Sequence, residues 1–134
     1  MGMYTELVMA TRIKAESEAV QILQHLINDA EAPENLPVHP LFATPRWRML
    51  FSCNSYFFVP RSIAKFEYDD IGGYWCLISR ADLKNYDQEI EKFIDWIGPY
   101  LVNQCGEMIG YSRYEETREP TIYYAPSPTE REQK

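Results

Sequence analysis

Between residues 4 and 14 the chain alternates with a period of two. Leu7, Met9, Thr11 and Ile13 fall on one side, and Glu6, Val8, Ala10 and Arg12 on the other. Successive side chains of a strand point to opposite faces, so this spacing predicts a first β-strand. From residue 16 to 28 the period lengthens: Val20, Leu23, Leu26 and Ile27 share one stripe of a helix. Glu16 and Glu18 would sit in its first turn, where the exposed amide ends attract negative charge.

Residues 30–46 contain Pro33, Pro37, Pro40 and Pro45. Proline cannot donate to a ladder or continue a helix interior, so an extended loop is expected, pinned to the body by Leu36, Val38, Leu41 and Phe42. Residues 49–53 and 56–59 then read as strands, either a hairpin around Asn54-Ser55 or one bent strand. Residues 62–68 and 74–80 flank Asp69-Asp70-Ile71-Gly72-Gly73, whose residue types suit positive φ, and predict a hairpin. A second helix is expected over 85–103, with Asn85 as cap and Gln88 completing a capping box. Its stripe is Ile90, Phe93, Ile94, Ile97 and Leu101, and Gly98-Pro99 predicts a break near Ile97. Residues 107–114 and 121–124 read as a closing hairpin around Glu115-Glu116-Thr117-Arg118-Glu119.

The resulting order is β-α-β-β-β-α-β-β. It predicts an α+β fold in which a mostly antiparallel sheet of about six strands carries two helices on one face. Because β-α-hairpin occurs twice, the order resembles a ferredoxin-like core with an added hairpin. At 134 residues the chain has the size of one domain and needs neither disulfides nor a metal to fold. Residues 1–124 are assigned to that domain. Residues 125–134, with two prolines and alternating charge, read as a disordered tail.

Charge narrows the partners. A net charge of −7 and a pI near 4.8 repel phosphate backbones and anionic membranes, so neither direct nucleic-acid binding nor membrane binding is expected. A partner with a basic surface is favoured; solubility alone is the competing explanation for the charge. Cys53, Cys76 and Cys105 are odd in number and form no C-x-x-C pair, which predicts reduced thiols in a cytoplasmic setting. No secretory leader is expected at the N-terminus and no apolar stretch long enough to span a membrane.

Met3-Tyr4-Thr5-Glu6-Leu7, Glu34-Asn35-Leu36-Pro37, Cys53-Asn54-Ser55-Tyr56 and the block from Leu83 to Ile97 resemble small uncharacterised proteins encoded by bacteriophages and prophages of enterobacteria. The resemblance runs from Met3 to about Tyr124. It implies an accessory phage protein acting in the bacterial cytoplasm, in a setting where genes often modulate host or defence proteins. It implies no catalytic residue.

Chemistry-bearing residues are few. His25 falls within the first helix and His39 in the proline loop; a Cys53–His39 nucleophile pair is conceivable, but packing and loop roles account for both histidines. Glu67, Asp69 and Asp70 gather at one hairpin and Glu115, Glu116 and Glu119 at another. Solvated turns explain them, with a small metal-dependent hydrolase or nuclease-like enzyme as the alternative. Arg46-Trp47-Arg48 could clamp a phosphate, though Trp47 as an anchor is the simpler reading. No glycine-rich phosphate loop, cofactor motif or metal motif occurs. Tyrosine is the residue that favours interaction, because it buries a large area at small entropic cost. The expected partner-binding surface combines Tyr111, Tyr114, Glu115, Glu116, Tyr123, Tyr124, Asp69 and Asp70 in a non-enzymatic binding module. Aromatic packing within the sheet competes with that reading, and a homodimer through a tyrosine-rich edge strand is a further possibility.

Overall fold

The structure, a computed structural model, describes residues 4–55 and 61–127. Its elements are β1 (Thr5–Lys14), α1 (Glu18–Asn28), β2 (Ile63–Asp69), β3 (Tyr74–Leu83), α2 (Glu89–Ile97), β4 (Met108–Tyr114) and β5 (Thr121–Tyr124). The strands form a single sheet in the order β2-β3-β1-β4-β5, with every neighbour antiparallel. The fold is therefore α+β as expected, with five strands among the described residues where about six were predicted.

The first strand sets the geometry. All ten of its residues pair with β3, from Thr5↔Leu83 to Lys14↔Tyr74, and its first five also pair with β4. Leu7, Met9 and Ile13 turn inward with Phe66, Leu77, Ala81 and Leu83 and meet Ile22 and Leu23 of α1 and Ile90, Phe93 and Ile97 of α2 in one core cluster. Both helices thus lie over the same face of the sheet. Met9 needs a partner without a side chain across the bulge in β4. A Cβ on Gly110 would come within 2.3 Å of the Val8 carbonyl oxygen and 2.8 Å of Met9 Sδ, so only glycine allows the approach.

Residues 49–53 depart from expectation. They follow a 3-10 turn at Trp47–Met49 and continue as a turn, not a strand. Trp47, Leu50 and Phe51 are buried, and Phe51 meets Phe93 edge-on at 5.5 Å. Their spacing of three and four is that of a helical turn, which a short apolar run does not distinguish from a strand. The expected strand at 56–59 lies outside the described residues. In the proline loop Leu41 and Phe42 pack inward, but Leu36 is exposed and Val38 fully so; the loop is pinned by two of the four residues expected. The second helix is shorter than predicted. It ends at Ile97 and passes into a 3-10 turn at Gly98–Tyr100, as Pro99 dictates. It also starts later than expected, at Glu89, with Gln88 and not Asn85 at the N-cap position. Asn85, ahead of a 3-10 turn at Tyr86–Gln88, accepts from the Ile90 amide at 2.8 Å, and Glu89 accepts from the Asn85 amide at 3.2 Å. The expected tail also starts too early, for Ala125 is buried and exchanges backbone hydrogen bonds with Gly106 and Glu107.

The opposite face of the sheet is uncovered by helices. In register across it, Ile63, Arg80, Val8, Tyr111 and Ile122 form one row. Lys65, Ile78 and Ala10 begin the next row, which Met108 and Tyr124 continue past the bulge. One end of this face is ionic. Arg80 donates from Nε to Glu6 at 2.8 Å, from Nη2 to Asp82 at 2.5 Å and from Nη1 to the Arg61 carbonyl at 2.7 Å. Glu6 also pairs with Arg113 at 2.9 Å, and Asp82 accepts from the Ser55 amide at 3.1 Å. Burial pushes the Asp82 carboxyl up, and Arg80 and the Ser55 amide pull against that shift. Removing the cation would leave the buried Asp82 carboxylate without one, while Glu6 keeps Arg113, and breaking a buried pair of this kind costs about 3–5 kcal/mol. Arg80→Met is therefore expected to lower unfolding free energy by about that amount in urea titrations. Arg12→Met, which breaks the exposed Arg12–Glu107 pair, should lower it far less, because solvent screens that pair.

Candidate functional site

The loop after α1 folds back against the C-terminal end of α2 and leaves a cleft of about 370 Å³ between them. Pro37, Val38 and His39 form one wall. Asp95, Trp96, Pro99 and Tyr100 form the other, and Glu18 of α1 closes the end. A shallow apolar shelf of Leu36, Pro37, Val38, Pro40, Phe42 and Ala43 adjoins it.

His39 holds the loop to the helix through both ring nitrogens. Nδ1 accepts from the Leu41 amide at 3.0 Å, so the proton sits on Nε2, which donates to Asp95 Oδ2 at 2.8 Å. That arrangement makes His39 the cap of the 3-10 turn Pro40–Ala43. Tyr100 donates its hydroxyl to Glu18, and burial together with that carboxylate pushes the Tyr100 phenol well above its ordinary range. Trp96 packs edge-on against Phe42 at 5.3 Å and tilts against Tyr100 at 5.7 Å. The cleft therefore offers two exposed carboxylates over an aromatic floor.

The helix side is predominantly acidic, although Lys92 of α2 and Arg48 also stand there. Glu16, Glu18, Asp29, Glu31, Glu34, Asp87, Glu91 and Asp95 are all exposed on the helices and their connecting loops. Of the cations on this side, Arg48 lies over the Trp47 ring at 4.5 Å and donates to His25 Nε2 at 2.7 Å. His25 Nδ1 donates to the Ala30 carbonyl at 2.9 Å. Both imidazoles are thus committed to neighbours in the neutral form, and neither meets Cys53. Arg46 instead donates to Cys53 Sγ at 3.7 Å and offsets the burial that pushes the Glu89 carboxyl up. Among the described residues no group of three or more His, Cys, Asp or Glu side chains is placed to hold a metal ion. No helix among them is long and apolar enough to cross a membrane.

The residues expected to form one partner surface are dispersed. Tyr111 and Tyr124 lie on the uncovered face of the sheet, whereas Tyr123 points to the helix side and meets Ser112 Oγ at 2.9 Å. Tyr114 lines a separate polar cleft of about 330 Å³ with Lys84, Glu91 and Glu119. Glu115 turns back to accept from the Tyr4 amide at 3.2 Å, beside Glu116 in the same turn. Asp69 and Asp70 stand at the β2–β3 turn, on the opposite edge and at the opposite end of the sheet. Asp69 has a local task there, accepting from the Ile71 amide at 3.0 Å. Strand parity explains the tyrosines: Tyr123 and Tyr124 are consecutive, and Tyr111 and Tyr114 differ by an odd number, so each pair splits between faces. The cleft itself was missed because Glu18, His39, Asp95 and Tyr100 come from three separate segments; Pro37 and His39 in an ordered loop were the only local signal.

No protein-family model matches this sequence, and no curated protein or solved structure is significantly similar to it.

Two outcomes follow from these geometries. His39→Ala should cost about 1–2 kcal/mol and speed limited proteolysis within 36–43, because the Leu41 amide loses its acceptor and the loop loses its bond to Asp95. His39→Asn, which can still cap the turn, should recover part of the loss. The raised Glu89 carboxyl carries a definite sign: its contribution to stability is present below the ordinary carboxylate range and is lost as pH rises through its folded value. In urea titrations across that window Glu89→Gln should flatten this decline, leaving the variant favoured relative to wild type at neutral pH and less so in acid.

Proposed function

We propose that this chain is a non-enzymatic protein-binding module, an accessory protein of phage or prophage origin that docks on a basic surface of a bacterial host protein in the cytoplasm. Its architecture is assigned to a ferredoxin-like core, β1-α1-β2-β3-α2-β4, with β5 added at one edge. What supports that assignment is the antiparallel strand order β2-β3-β1-β4 with both helices on one face.

The observation that carries the binding role is the cleft beside α2. Glu18 and Asp95 flank Trp96 and Tyr100, and the exposed Val38 shelf begins at the rim. A lysine or arginine of a partner would gain from both carboxylates and from the part-exposed Tyr100 ring, the latter by about 0.5–1 kcal/mol. An apolar neighbour in the partner would cover Val38. The surrounding acidic field would steer a basic partner toward this side and raise the association rate. On this reading docking occurs on the helix side, at the end of the sheet opposite the Glu115–Glu116 turn.

Pull-down from enterobacterial lysate with the full chain tests the proposal. Capture should weaken steeply with salt. The double variant Glu18→Gln, Asp95→Asn keeps the hydrogen-bond acceptors but removes both charges, and should reduce capture about tenfold. Glu115→Gln, Glu116→Gln should leave it unchanged. The opposite ranking would return the docking surface to the last hairpin, and salt-independent capture would count against any electrostatic dock.

A further inference from the structure

The sheet face left bare by the helices presents an apolar side chain on every strand, with Arg80 and Lys65 interspersed. Ile63 on β2, Ile78 on β3, Met108 on β4 and Tyr124 on β5 are 51–57% exposed, and large apolar side chains spread in one band mark a contact surface. We propose that a second copy of this chain covers this face, the two sheets packing face to face about a dyad that runs along β1.

Three observations support a second copy as the occupant. Self-complementarity is the first. A dyad along the central strand exchanges β2 with the partner's β5 and β3 with the partner's β4 while keeping each row in place. Ile63 then faces Ile122 of the second copy, Ile78 faces Met108, and Lys65 faces the Tyr124 ring, where a cation is attracted. Ala10, small and exposed on the axis strand, lets the two sheets approach.

Charge balance is the second. The chain carries −7, yet on this face Arg12, Lys14 and Lys65 stand against Glu67, Asp69 and Glu107, while Arg80 and Arg113 compensate Glu6 and Asp82. Each face is therefore neutral as a whole, and of the β1 charges that the dyad sets against their own copies, Arg12 and Glu6 each keep an oppositely charged partner within the chain. Size is the third. Five strands spaced about 4.8 Å apart and four rows of side chains give a patch of about 19 by 20 Å. Side-chain relief brings the area buried by two copies to about 1,000 Å², at the lower limit of a specific interface. Sheets of this twist pack aligned at about 30°.

Sedimentation velocity on the full chain at about 100 µM reads the outcome. Wild type should run as a species of twice 15.8 kDa. Ile78→Glu, at an exposed site that the fold does not need, should weaken the dimer at least about tenfold with an unchanged circular dichroism melt. Ile63→Lys and Ile122→Glu should each weaken it, and the two together should restore it, because the dyad sets them against each other. A 15.8 kDa species at every concentration would overturn the proposal and assign the face to a different partner. So would a dimer that tolerates Ile78→Glu, or a double variant that fails to recover association.

Discussion

The guanidinium of Arg80 is the contact on which the bare side of the sheet depends. It joins β3 to Glu6 of β1, to Asp82 of its own strand and to the carbonyl of Arg61 ahead of β2. Asp82 in turn receives the Ser55 amide, while its own amide donates to the Cys53 carbonyl. One planar cation with fixed donor directions thus ties together three segments that are distant in sequence. A buried pair of this kind adds little net stability over an apolar replacement, but breaking it is costly. Its effect is to hold the chain entering β2 beside β3, through the Arg61 carbonyl that Arg80 binds and the Ser55 amide that Asp82 accepts.

The same logic of distant segments builds the helix side. β1 is central, paired along its full length with β3 and over half of it with β4, and past that point Leu101, Val102 and Asn103 take over its free flank. Those residues follow directly from the 3-10 turn that Pro99 imposes on α2. Where α2 ends, and so where Asp95, Trp96 and Tyr100 stand, is therefore coupled to β1. The loop that faces them is held from the other direction by Leu41 in the core and by the two bonds of His39. The cleft is the gap left when two independently anchored segments meet.

Much of this was legible along the chain. The period of two in β1 assigned its inner and outer residues correctly, the turn chemistry of 69–73 located a hairpin, and Pro99 marked the end of α2. What failed has physical causes. Trp47, Leu50 and Phe51 form a short apolar run that fits a strand and a helical turn equally, and only their contact with Phe93 decides it. The tyrosines were grouped by proximity in sequence, although strand parity alone divides them between two faces. Val38 was expected to be buried because it is apolar, but a loop with prolines on both sides of it cannot turn every apolar side chain inward. The cleft depends on tertiary register, and no local pattern encodes which loop meets which helix.

Electrostatics unites the two faces. The chain is strongly acidic, yet the acids are distributed by side: the helices and their loops carry an exposed negative field, while the bare sheet carries matched charges and an apolar band. Helix and sheet layers are each about 10 Å thick, so two copies meeting sheet to sheet would hold their acidic helical surfaces about 30 Å apart. That separation is several times the screening length of about 8 Å at physiological ionic strength. Self-association through the sheet and attraction of a basic partner to the helices would therefore be independent. In such a pair the two clefts would face outward, and a partner with two basic segments would be held by both, with the second contact made at the high effective concentration that the first creates.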